Sequence, residues 1–168
     1  MTNGNAYITL KDAYIDPGLY GSGSAITLNA GANLTIRPEG TNVMMGSGGT
    51  RACAGIRTTG AMLTVDGPGS LTAAGGNGGY RDNNTYPAGG GGTGIGGSGA
   101  IVENGAGSDG GTVIIQSGTV TAYGGGAGNG RIGLESFGVA IYFYGGGAGG
   151  GIGSGTNGAQ GNPATIGD

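Results

Sequence analysis

The chain has 168 residues, of which 48 are glycine and five proline, with six basic and nine acidic side chains and no histidine. That length suffices for one domain with a real core. The glycines follow no Gly-X-Y period, which excludes collagen. A net charge of −3, with its few Lys and Arg scattered, excludes the basic footprint of a nucleic-acid binder.

The first elements in chain order are two short strands, Tyr7-Ile8-Thr9-Leu10 and Ala13-Tyr14-Ile15-Asp16, separated by a polar turn. Met1-Thr2-Asn3-Gly4, ahead of them, reads as the start of a fragment without a secretion signal. A longer phrase then begins at Ala25 and recurs at Ala54 after 29 residues. Gly31-Ala32 meets Gly60-Ala61, Leu34-Thr35-Ile36 meets Leu63-Thr64-Val65, and Gly40 meets Gly69. A third copy runs from Gly111-Thr112-Val113-Ile114-Ile115 to Gly118-Thr119-Val120-Thr121-Ala122, and a looser fourth is Gly138-Val139-Ala140-Ile141-Tyr142-Phe143-Tyr144.

Between these phrases lie tracts of small residues, Gly89 to Gly99 and Gly145 to Gly155. Each holds a solitary isoleucine, Ile95 or Ile152. Ile56, Ile132 and Ile166 stand in similar settings. A disordered linker has no use for an isolated Ile, whereas a wound coil of short strands points it inward. Glycine costs about 1 kcal/mol per helical position, and no 3.6-residue apolar period survives, so no helix is expected. The reading is all-β: a single domain over 1–168 built as a parallel β-helix (β-solenoid). At ~20–30 residues per coil it would make about six or seven coils, with glycine-rich turns or polyproline-II-like segments.

The phrases Gly110 to Ala122 and Gly145 to Gly155 resemble the glycine-rich parallel β-helix modules of large bacterial surface proteins. The stretch from Ala6 through Gly40 is similar to bacterial carbohydrate-binding β-helix modules of gut and cellulolytic species. The resemblance implies a piece of a larger protein, at the cell surface or secreted, that engages a polysaccharide or cell-surface glycan.

Chemistry-bearing residues are few. Without histidine the commonest general base and metal ligand are missing. Cys53, between Ala52 and Ala54, reads as a small buried residue, and as the only cysteine it excludes an internal disulfide. Glu39 and Asp66 occupy corresponding turns, and stacking could bring them close enough for a glycosidase pair, although exposed turn carboxylates are the plainer reading. The glycine tracts lack the regularly placed Asp of calcium-binding nonapeptide repeats. A single Thr-x-Thr phrase, Thr119-Val120-Thr121, is too little for an ice-binding lattice. Tyr123, Tyr142 and Tyr144 read mainly as packing.

One segment breaks the small-residue pattern: Tyr80, Arg81, Asp82, Asn83, Asn84 and Tyr86 bring aromatic faces and planar polar groups together within a few residues. Insertions into a solenoid emerge on one face, often the binding face. These six residues are the expected glycan contacts, with Asp82 a candidate oxygen ligand for calcium. The expectation is therefore a non-catalytic extracellular module for adhesion or carbohydrate binding. It has no cofactor beyond a possible calcium ion, no nucleic-acid partner and no apolar run long enough to insert in a membrane. The alternative is a fibre or spacer subunit that self-associates through its solenoid ends.

Overall fold

The computed structural model describes residues 4–18, 23–49, 51–79, 89–100, 107–128, 132–134, 140–142, 148–155 and 165–167. Its first coil contains β1 (Asn5–Lys11), β2 (Tyr14–Ile15) and β3 (Ile26–Thr27). The second contains β4 (Asn33–Glu39), β5 (Thr41–Met45) and β6 (Ile56–Arg57). The third contains β7 (Met62–Val65), β8 (Ser70–Ala74) and β9 (Ile95–Gly96). The fourth starts with β10 (Thr112–Ile115) and β11 (Thr119–Tyr123), detours through β12 (Ile132–Leu134) and β13 (Ala140–Tyr142), and closes with β14 (Ile152–Gly153). β15 (Thr165–Gly167) opens a fifth.

Corresponding strands of successive coils pair in parallel to form three sheets, β1-β4-β7-β10-β15, β2-β5-β8-β11 and β3-β6-β9-β14. This is the stacked, solenoid-like parallel arrangement expected from the repeat. The register follows the sequence alignment: Leu34 pairs with Leu63, Ile36 with Val65, Thr41 with Ser70, and Thr119 with Ser70 on its other side. The two opening strands also fit, since β1 pairs with β4 and β2 with β5.

Two expectations need correction. Among the described residues there are four coils and the first strand of a fifth, not six or seven. Register partners are 28 and 29 residues apart in the early coils, as in Asn5 with Asn33 and Asn33 with Met62. They are 50 and 53 residues apart afterwards, as in Met62 with Thr112 and Thr112 with Thr165. The glycine tracts lengthen the later coils without adding rungs. The looser fourth copy is also no coil strand, because Ala140–Tyr142 pairs antiparallel with Ile132–Leu134. That copy lacks the Gly-Thr or Gly-Ser pair that leads into a second strand in the others.

Strand alternation sends one residue set inward. On the first sheet Leu34, Leu63 and Val113 form one inward rank, with Ile36 and Val65 in the next, all buried. On the second, Met44 and Ala73 are buried in register. On the third, Ile26, Ile56, Ile95 and Ile152 stack one above another through four coils, with Ile56 and Ile95 fully buried. The solitary isoleucines at 56, 95 and 152 thus point into the core as expected. Ile132 and Ile166 are not part of this stack: Ile132 lies on β12 opposite Tyr142, whereas Ile166 lies on β15 in register with Val113 of the first sheet's inward rank. Cys53 is buried as expected, with Sγ 3.8 Å from the Arg51 carbonyl oxygen.

The tract from 89 to 100 is buried throughout, yet only Ile95–Gly96 within it pairs as a strand. A strand in a sheet has neighbours on two sides. This tract bonds in more directions: Gly92 N–H donates to Gly76 (3.0 Å), Gly99 to Ala52 (2.8 Å) and Ile95 to Gly151 (2.9 Å). Gly92 also accepts from Gly125 (2.8 Å), and Gly125 in turn accepts from Gly149 (3.0 Å). Only backbones without side chains can approach this closely on several sides. A Cβ placed on Gly75 or Gly149 would overlap the carbonyl oxygen of Gly92.

Candidate ligand-binding groove

All six expected glycan contacts, Tyr80, Arg81, Asp82, Asn83, Asn84 and Tyr86, lie outside the described residues, and the calcium reading of Asp82 lies there with them. Tyr144 lies outside as well. Tyr123, expected to pack, instead leaves the end of β11 with 59% of its surface exposed.

The described surface carries a different groove, on the outer face of the first sheet. It is built by register. Residues between the inward ranks face outward, so Asn5 and Asn33 lie side by side, as do Tyr7, Thr35 and Thr64. Beyond the strand ends, Asp66 and Gln116 continue the same face; each backbone N–H bonds the coil before it, Asp66 to Ile36 and Gln116 to Val65, both at 2.9 Å. Together these residues line a groove of about 320 Å³, at the lower end of the ~300–1,000 Å³ typical of small-molecule sites.

The side chains in it are partly fixed. Asn33 Nδ2 donates to Asn5 Oδ1 at 3.1 Å, which aligns the two amides. Asp66 Oδ1 accepts from Ser117 Oγ at 2.7 Å, holding the carboxylate while its other oxygen stays available. Tyr7 stands on the outermost strand with 76% of its surface exposed. The assembly offers one free aromatic face beside a set of amides, hydroxyls and one carboxylate. Sequence reasoning missed it because Asn5, Asn33, Asp66 and Gln116 are distant in sequence and meet only through register. The 29-residue shift, extended outward from the Leu34–Leu63 rank, contained the signal.

Glu39 and Asp66 are not brought to one site. Asp66 lines the sheet groove, whereas Glu39 lines a separate hollow at the turn with Gly40, Thr41 and Ser70. Glu39 meets Arg37 at 3.4 Å and Asp66 meets Ser117. Other carboxylates serve turns. Asp12 Oδ1 accepts the Thr41 N–H at 2.9 Å across the first two coils, and Asp16 Oδ1 accepts the Gly18 N–H at 2.8 Å, the local bonding that makes Asp a turn residue.

Among the described residues no group of three or more His, Cys, Asp and Glu converges as a metal site, and no helix is long and apolar enough to cross a membrane. No family model, curated protein or solved structure matches the chain.

Proposed function

We propose that this chain is a non-catalytic extracellular module of a bacterial surface or secreted protein that binds polysaccharide or cell-surface glycan. The observation that carries the reading is the groove on the first sheet. Sugar rings present C–H faces that lie on an aromatic ring and hydroxyls that pair with planar polar groups. Tyr7 supplies the first, Asn33, Asp66 and Gln116 supply the second, and the Thr35 hydroxyl lies beside them. A solenoid repeats such groups at the inter-strand spacing of about 4.8 Å, which suits an extended polymer. The resemblance of Gly110 to Ala122 and Gly145 to Gly155 to bacterial surface modules supports the compartment. The glycine tracts, of which 89–100 is buried throughout, are read as polyproline-II-like segments, a scaffold and not a ligand surface.

The segment from Tyr80 to Tyr86, including Asp82 as a calcium ligand, remains the second contact of this reading. Its flanks support an insertion, since Gly89 N–H donates to Gly79 at 3.2 Å. A glycan array run with the wild type, Tyr7→Ala and Tyr80→Ala/Tyr86→Ala tests both. Loss of binding in Tyr7→Ala at unchanged melting temperature supports the groove. Retention there with loss in the double variant moves the site to the Tyr80–Tyr86 segment. No binding by the wild type to any polysaccharide overturns the module reading.

A second reading, an end-to-end fibre subunit, is favoured by one observation. Ile8 and Ile15 occupy core ranks of the first coil but are 36% and 39% exposed, while their register partners Ile36 and Met44 are fully buried. An open, apolar strand edge templates further pairing. Filaments in negative-stain micrographs at micromolar protein would favour this reading, and uniformly monomeric particles would remove it.

A further inference from the structure

Beside the third sheet is a small hollow of about 90 Å³ lined by two arginines and several hydroxyls. Among the described residues Arg51, Arg57, Ser24, Thr27, Ser98 and Cys53 line it, and no described carboxylate does. In a chain of net charge −3 with six basic residues, two arginines converge on one recess. Arg57 lies on β6 between Thr27 of the coil before and Gly96 of the coil after. Gly96 places no side chain beside Arg57 in the register.

The decisive observation is what these groups lack. The buried side-chain nitrogens and oxygens without a hydrogen-bond partner among the described residues are Arg57 Nε and Ser24 Oγ, and both residues line this one recess. A buried donor left unpaired costs free energy, more so on a charged group. Two such donors in a cleft with a second arginine at its rim fit an acceptor-only, negatively charged group. Guanidinium matches planar oxyanions, through paired N–H donors aimed in a fork.

We propose that this recess is an oxyanion site, sized for one carboxylate or sulfate group and not for a sugar ring, with Arg57 Nε and Ser24 Oγ donating and Arg51 closing the open side. It is separate from the Tyr7 groove and does not depend on it. The anion can be free or can be a substituent on an acidic polysaccharide.

The side-chain Nε–Hε resonance of Arg57, identified by its loss in Arg57→Lys, reports directly on the site. Sulfate, galacturonate, galactose and sodium chloride at matched ionic strength are titrated into the full chain. Saturable movement of the Arg57 signal with sulfate supports the site, and tighter saturation with galacturonate assigns it to an acidic glycan. Arg51→Gln weakens the affinity by about tenfold or more, as expected for one charge-assisted hydrogen bond. Tyr7→Ala leaves sulfate affinity unchanged, so failure of the glycan groove does not disguise failure here. Melting curves give a second readout. In buffer without oxyanions Arg57→Gln melts no lower than the wild type, because the substitution removes an uncompensated charge. With sulfate only the wild type gains beyond the general salt effect. An Arg57 signal that does not move with sulfate or galacturonate, or an equal sulfate gain in Arg57→Gln, overturns the proposal.

Discussion

The three sheets and the glycine tracts are two interiors of different kinds within one fold. In the sheets, side chains fill the space: Ile56, Leu63, Val65, Leu71 and Ile95 are fully buried and touch across the coil. In the tracts, backbones fill it, and a run of hydrogen bonds passes from Cys53 through Gly76, Gly92 and Gly125 to Gly149 with no side chain larger than the thiol of Cys53 on the way. A side-chain interior can adjust by rotamer changes when one residue is altered. A backbone interior has no such freedom, because each atom is also a partner in a hydrogen bond. The difference predicts a graded response in the sheets and an all-or-none response in the tracts.

The sharpest way to break that contrast uses two neighbouring glycines. A Cβ on Gly149 would overlap the Gly92 carbonyl, whereas a Cβ on Gly150 finds nothing nearer than the Ile152 carbonyl oxygen at 3.7 Å. Gly149→Ala is expected to destabilise by about 3 kcal/mol or more, at the upper end of overpacking costs because backbone itself must move. Gly150→Ala is expected to be neutral, or to stabilise by up to ~1 kcal/mol through the unfolded chain. Urea denaturation of the two variants gives both values. Equal effects would mean that the tracts deform as readily as a loop.

The second test lies where a polar group interrupts the side-chain interior. Asn42 faces inward on β5 and is fully buried. Its Oδ1 accepts from Ala13 N–H at 3.0 Å, and its Nδ2 donates to the Glu39 and Ser70 carbonyls at 3.1 Å each. One side chain thus ties three successive coils together at the turn between the first two sheets. Asn42→Leu matches the volume and leaves three backbone groups without this partner. The expected loss is about 2 kcal/mol, within the range for orphaning buried polar groups. A loss below ~0.5 kcal/mol would show that water replaces the amide at no cost, as it does on ordinary surfaces.

How much of this was legible in the sequence follows from the same division. The side-chain interior writes itself as a pattern, so Leu34-Thr35-Ile36 over Leu63-Thr64-Val65 announced both the parallel pairing and its register. The backbone interior writes only glycine, and glycine does not say which tract lies against which. Hence Gly89 to Gly99 was recognisable as structured, through Ile95, but not as buried on all sides. The coil number failed for the same reason, since tract length does not convert into rungs. The Tyr7 groove and the Arg57 recess were both hidden because each draws its residues from two or more coils. Ser24, Arg51, Arg57 and Ser98 form no motif until register and the folding of the tracts bring them together.

The smallest expected effect tests whether the two interiors are coupled. Ile95 belongs to both: it stands in the isoleucine stack between Ile56 and Ile152, and its own tract is the buried glycine run. Ile95→Val removes one methylene from a fully buried site and is expected to cost about 1 kcal/mol, as does the same change at Ile56. At half-buried Ile152 it should cost less. The informative quantity is the pairing with Gly149→Ala. If sheets and tracts unfold as one unit, Ile95→Val lowers the midpoints seen by tyrosine fluorescence and by far-ultraviolet dichroism equally, and no separate transition appears. If the tracts open first, amide exchange at Gly92 and Gly125 speeds up in Gly149→Ala while exchange at Leu63 and Val65 stays as in the wild type. Because Ile95 carries side-chain packing and tract hydrogen bonds in the same residue, a single cooperative unit is the expected result.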